Sequence, residues 1–253
     1  MSDNGQSKNG DIAIAFEQVD KGFDGRKILD QVSFSVARGE ALCILGRSGT
    51  GKSVTLKLMI GLLKADAGKV LVEGKDMASL EEDGLAKVRR KMGYLFQSAA
   101  LFDSFTLNQN LAMPLHRLEP NKSPEEVKRA VEETLREVGL EKDGQKMPNK
   151  LSGGMQKRAG LARALVLEPE ILLVDEPNSG LDRITAGEID SLLMKVKTER
   201  HTTMVIVTHD IHGARKIADK FAVLDQGRLL AFGTPEELDK KHDNRLQQFI
   251  SEQ

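Results

Sequence analysis

Eight residues constrain this chain more than any others: Gly46-Arg47-Ser48-Gly49-Thr50-Gly51-Lys52-Ser53, directly behind the apolar run Ala41–Leu45. They fit G-x-x-x-x-G-K-[ST] at every fixed position. A continuous apolar run reads as a strand covered on both faces, and the periodic residues after Ser53 read as a helix over Val54–Leu63. A strand, a glycine-rich turn and a helix in that order belong to an α/β layer fold with a largely parallel sheet. The glycines let main-chain N–H groups turn inward on phosphates, and the helix N-terminus adds positive potential. Lys52 is positioned to bridge β- and γ-phosphates, and the Ser53 hydroxyl to ligate Mg²⁺.

Two further apolar runs end in chemistry-bearing residues. Ile171–Val174 leads into Asp175-Glu176, and Met204–Val207 leads through Thr208 into His209. Ligands of open α/β sheets sit at the carboxyl ends of strands, so these residues should converge on the same nucleotide. Asp175 then holds Mg²⁺ through water, Glu176 polarises the attacking water as general base, and His209 contacts the γ-phosphate. Gln97 follows Gly93-Tyr94-Leu95-Phe96; its amide oxygen either reaches the metal or simply ends a strand. Phe23 either stacks on adenine or tucks against the core.

Leu151-Ser152-Gly153-Gly154-Met155 opens a helix running to about Leu167, yet it is remote in sequence from the phosphate loop. Such an element makes sense if two copies of the chain meet and each offers it to the other's nucleotide.

Bulk composition sets outer limits. At 253 residues and 40% hydrophobic content the chain can bury a large core. Lys plus Arg at 37 against Asp plus Glu at 38 give no electrostatic reason to expect nucleic acid as main partner. A single cysteine, Cys43, excludes an internal disulfide and reads as a small buried strand residue. No run reaches a membrane-spanning length, so no direct membrane insertion is expected. Residues 1–10 read as a disordered tail. Alternation at Ile12, Ile14, Phe16 and again at Val32, Phe34, Val36 marks half-buried strands. Four of seven prolines fall between Gln97 and Lys150, and Ser123-Pro124-Glu125-Glu126 is a strong helix start. A helical subdomain inserted over about 98–160 follows. Thr234-Pro235-Glu236-Glu237 opens a C-terminal helical tail over about 234–253. Its apolar residues Leu238, Leu246, Phe249 and Ile250 either dock on the core or bind a partner.

Together these elements resemble the ATP-binding cassette family of ATPases over nearly the whole chain from Ile12. The resemblance implies a single nucleotide-binding domain over 11–253, an α/β core of mixed sheet flanked by helices with an antiparallel β-subdomain and the inserted helical subdomain. Phe23 takes the adenine-stacking place, Leu151–Met155 that of the signature, Ser179-Gly180-Leu181-Asp182 that of the D-loop, and His209 that of the switch histidine. It further implies ATP and Mg²⁺ as cofactors, a head-to-tail homodimer, and a separate membrane permease. Leu95–Thr106, Asn110–Leu115, Lys157–Ala164 and Asp182–Gly187 also look like the cassettes of Mce/Mla-type lipid transporters, although proline is more usual than Arg183. That closer resemblance implies phospholipid or other hydrophobic cargo, an MCE-domain protein and a small STAS-type subunit as partners. The implied location is the cytoplasmic side of a bacterial inner membrane. An amino-acid type importer, or a soluble cassette ATPase acting on ribosomes or DNA, are the competing readings.

Overall fold

The computed structural model describes residues 12–241, 243 and 245–247. In chain order the elements are β1 (Ile12–Phe23), β2 (Arg26–Ala37), β3 (Ala41–Gly46), α1 (Lys52–Met59), β4 (Ala67–Val72), β5 (Lys75–Asp76), α2 (Glu82–Arg89), β6 (Met92–Leu95), α3 (Leu107–Leu118) and α4 (Pro124–Glu137). After a 3₁₀ turn at Pro148–Lys150 come α5 (Gly153–Leu165), β7 (Ile171–Asp175), α6 (Arg183–Arg200), β8 (Thr203–Thr208), α7 (Ile211–Ile217), β9 (Lys220–Asp225), β10 (Arg228–Gly233) and α8 (Pro235–Asp239).

The strands form two sheets, β2-β1-β4-β5 and β10-β9-β3-β8-β7-β6. The small sheet is antiparallel, with Phe16 opposite Phe34 and Val70. In the large sheet β9, β3, β8, β7 and β6 run parallel, and β10 closes one edge as an antiparallel hairpin. Every residue of β3, β7 and β8 is buried, as continuous apolar runs covered on both faces require. Alternate strand residues feed opposite layers. Leu42, Ile44, Leu173, Val205 and Val207 pack with α1 and the small sheet. Cys43, Leu45, Leu172, Val174, Met204 and Ile206 pack with α5, α6 and α7.

The segment between Gln97 and α5 has its own apolar centre. Leu107, Leu111 and Leu115 of α3 meet Val127, Val131 and Leu135 of α4, and Ala159 and Ala162 of α5 close the cluster. Its helices start where the sequence offers oxygen caps. The Thr106 and Ser123 hydroxyls accept from the backbone of Gln109 and Glu126, whose side chains answer in capping boxes. The loop before α3 is organised by Asn110, a fully buried amide. Its oxygen accepts from Phe102 N–H at 2.8 Å, and its nitrogen donates to the carbonyls of Phe102, Phe105 and Thr106 at 3.0–3.1 Å.

Some boundaries differ from expectation. α1 begins at Lys52 and stops at Met59, shorter than the expected Val54–Leu63, because Gly61 turns the chain with φ 71°. α5 likewise stops at Leu165. Leu238 and Leu246 are buried in the apolar layer that also holds α5, α6 and α7 against the large sheet. Phe249 and Ile250, like the expected tail at 1–10, lie outside the described residues.

Candidate functional site

The loop between β3 and α1 forms one wall of a cleft of about 700 Å³. Gly51, the residue that caps α1, takes φ 97°, a conformation a side chain resists. Its backbone carbonyl starts the helix by accepting from Val54 and Thr55. The N–H groups of the first turn thus point at the cleft. Lys52 is buried, and its ammonium donates to the carbonyls of Gly46 at 2.8 Å and Arg47 at 3.2 Å.

The carboxyl ends of β7 and β8 supply the opposite wall. The Ser53 hydroxyl donates to Asp175 Oδ1 at 2.9 Å. Burial holds the Asp175 carboxyl above its usual range, against the pull of that hydroxyl. Glu176 Oε1 is 3.3 Å from Lys52 Nζ, and its Oε2 meets His209 Nδ1 at 2.8 Å. Glu176 sits at φ 44°, held there by its N–H donating to Val207 O at 2.9 Å across to β8. A non-glycine residue in the left-handed region at a strand end is strained backbone fixed by its surroundings.

Of the residues singled out in the sequence, Phe23, Arg47, Ser48, Gly49, Gly51, Lys52, Ser53, Gln97, Glu176 and His209 line this one cleft, with Gly46, Thr50 and Asp175 in its walls. Phe23 is 42% exposed at the end of β1, so it faces the cleft mouth rather than the core. Lys21 Nζ stands 5.3 Å from its ring centroid. Gln97 turns its amide nitrogen to the Ser179 hydroxyl at 3.3 Å.

Leu151, Ser152, Gly153, Gly154 and Asp182 do not line the cleft. Ser152 caps α5 by accepting from Met155 N–H at 3.3 Å. Asp182 caps α6, accepting from the backbone of Ile184 and Thr185 at 3.0 Å and from the Thr185 hydroxyl at 2.7 Å. Those contacts hold its carboxyl below the usual range, the Thr185 hydroxyl foremost.

Two polar groups near the site, the buried Lys157 and the half-buried Asn178, were not singled out in the sequence. Lys157 of α5 lies under the cleft floor, and Asn178 links Asp190 of α6 at 2.8 Å to Asp210 at 3.4 Å. The signal for Lys157 was a lysine in register with Gly160 and Ala164 on the inward face of a helix. Asn178 left no comparable trace.

The donor set fits a nucleotide and its metal. Inward-facing amides, one buried ammonium and a helix N-terminus suit phosphates. The Ser53 hydroxyl, the Asp175 carboxylate and the Gln97 amide oxygen are hard oxygen donors of the kind Mg²⁺ takes alongside substrate phosphate and water. Among the described residues no helix is long and apolar enough to cross a membrane.

Comparison with known proteins agrees with this geometry. The family model described as "ABC transporter" matches residues 29–179. The chain is 40% identical over 240 residues to a probable ribonucleotide transport ATP-binding protein, mkl, of Mycobacterium leprae, covering 95% of this chain and 69% of that one. It is 36% identical over 250 residues to y4tH of Sinorhizobium fredii, a probable amino-acid ABC transporter ATP-binding protein, covering 95% and 97% respectively. Among solved structures, the dimeric post-hydrolysis state of the cassette MJ0796 bound to ADP and Pi superposes with a TM-score of 0.81 at 33% identity, over 87% of this chain and 98% of that one. The chain therefore belongs to the ABC transporter family, as an ATP-binding subunit that hydrolyses ATP with Mg²⁺.

Proposed function

We propose that this subunit drives a bacterial envelope transporter for phospholipid or another hydrophobic cargo, working as a head-to-tail homodimer beneath a separate permease. The observation that carries this reading is one surface. Leu95–Thr106 and Asn110–Leu115, which resemble Mce/Mla-type cassettes, fold together around Asn110. They leave Phe102 47% exposed beside an apolar cleft of about 470 Å³ lined by Phe105, Gln109, Ala112, Met113, His116 and Arg117. Such a surface suits a permease's cytoplasmic segment, and we assign the helical subdomain of about 98–160 to that contact. An MCE-domain protein and a STAS-type subunit complete the assembly on this reading, and the ATPase subunit itself sits at the cytoplasmic side of the inner membrane, held there by the permease.

In the hydrolytic step Glu176 is the general base, and His209 orients it and meets the γ-phosphate. Lys52 neutralises the β- and γ-phosphates, while Ser53, Asp175 and Gln97 hold Mg²⁺. Phe23 stacks on the adenine. Ser152, Gly153 and Gly154 lie off their own cleft, which supports their serving the ATP of the second copy, with Leu151 and Asp182 shaping the same junction.

The second reading is a small-solute importer, favoured by the amino-acid designation of y4tH. Both are tested by capturing tagged, detergent-solubilised Glu176→Gln protein with ATP, followed by mass spectrometry of proteins and lipids. A permease with an MCE-domain protein and phospholipid supports lipid transport. A permease with a solute-binding protein and no lipid moves the cargo to a small polar molecule.

A further inference from the structure

α5 does more than carry the Ser152-Gly153-Gly154 element at its start. Three residues along its inner face grip the turn after β6. Lys157 Nζ donates to the carbonyl of Gln97. At Gly160 a side chain would meet Ala99 Cβ at 2.8 Å and its Cα at 3.0 Å, so helix and turn touch backbone to backbone. Arg163 donates to the carbonyl of Ala100 and lies 5.8 Å over the Phe102 ring. Ala99 and Ala100 take φ 60° and 49°, a left-handed pair that needs such support.

Lys157 has a second partner. The same ammonium donates to the carbonyl of Glu176 at 3.1 Å. Lys157 is only 6% exposed, and burying an ammonium is costly unless its donors are met. Here two of its three donors are met by carbonyls just past the ends of two neighbouring strands, β6 and β7. Both carbonyls belong to residues whose side chains enter the cleft. Glu176 is the strained one, and its carbonyl also accepts from Ser179 N–H at 3.2 Å. Ser179 in turn accepts the Gln97 amide. One buried cation therefore ties α5, the Gln97 turn and the Glu176 backbone into a closed circuit.

We infer that Lys157 is a positioning residue for hydrolysis: through the carbonyls of Gln97 and Glu176 it makes the orientation of both side chains follow the helix that begins at Ser152. Seating that helix start against a second copy's nucleotide then sets the base and the amide in the chain's own cleft. This rests on the roles given above to Glu176 and Gln97. It adds that the link runs through main-chain carbonyls and a side chain that touches no nucleotide.

The test uses the full-length chain and steady-state ATP hydrolysis. Lys157→Met should lower kcat about tenfold or more while the KM for ATP stays within about twofold, since misplacing a reacting group by an ångström carries a loss of that order. Lys157→Arg, whose guanidinium offers donors to both carbonyls, should recover most of the loss. A merely structural role would lower the melting temperature without that split. If Lys157→Met does not fold, Lys157→Gln, which keeps a single short donor, carries the same expectation. Unchanged kcat in the folded variant, a change in KM alone, or no recovery by arginine overturns the inference. Glu176→Gln, run in parallel, separates the two levels. If it hydrolyses ATP at the parent rate, the assignment of the base falls and the inference with it. If it is inactive while Lys157→Met matches the parent, only the inference falls.

Discussion

Gly154→Ala is expected to destabilise the isolated subunit, and the geometry names its cure. A Cβ at Gly154 would stand 2.3 Å from Thr185 Cγ2, while the next atoms, Thr185 Cβ and Oγ1, are at ordinary contact distances of 3.7 and 3.9 Å. The conflict is thus with one methyl group. Relieving it by rotating Thr185 breaks the 2.7 Å bond from its hydroxyl to Asp182. Overpacking costs about 1–3 kcal/mol, and the lost bond to the exposed Asp182 adds little, so the variant should lose roughly that much. For a chain of this size that lowers Tm by about 2–12 °C. Thr185→Ser removes the methyl and keeps the hydroxyl, so Gly154→Ala/Thr185→Ser should recover most of the loss. Denaturant unfolding of the four proteins gives the coupling energy directly. A single mutant as stable as the parent, or a double mutant no better than the single, would refute the close approach of α5 and α6.

Ser152→Arg should abolish ATP turnover while leaving a cooperative unfolding transition, because only a cap worth about 1 kcal/mol is lost within the chain; near-normal turnover would contradict the head-to-tail arrangement. Asp190 is 6% exposed, and burial raises its carboxyl pKa despite the hydrogen bond from Asn178. The folded state therefore binds that proton more tightly than the unfolded chain, and ionisation costs stability as pH rises through the folded value. Asp190→Asn should raise Tm at neutral pH, with the gain shrinking as pH falls through the carboxylate range; a gain independent of pH would refute this. Cys43 is fully buried in β3, and burial pushes its thiol well above the usual range. Its labelling by an aromatic disulfide reagent should follow global unfolding across a denaturant series, and rapid labelling of native protein would contradict its placement.

What the sequence disclosed, it disclosed where one residue type meets one physical demand. β3, β7 and β8 were legible because strands covered on both faces must be apolar throughout. The starts of α4 and α8 were legible because Ser123 and Thr234 precede a proline and two acids. The strand-end residues Asp175, Glu176 and His209 followed from the same strands. The β9–β10 hairpin was missed: its turn is Gln226-Gly227, and its outer strand is only partly buried. α2 was missed because its helix start, Glu81, makes no side-chain cap. Lys157 was hidden for a different reason. Its partners are carbonyls contributed by residues 60 and 19 positions away, and main-chain acceptors leave no mark on residue identity.

The Asn110 amide has one further consequence. It holds the Phe102–Thr106 loop by reading main-chain atoms, three carbonyls and one N–H. The shape of the surface offered to a membrane partner is therefore encoded separately from its chemistry. Phe102 and Phe105 can be exchanged for other side chains while the loop keeps its course, so partner preference can be retuned residue by residue. Losing the single amide would instead take the whole surface at once.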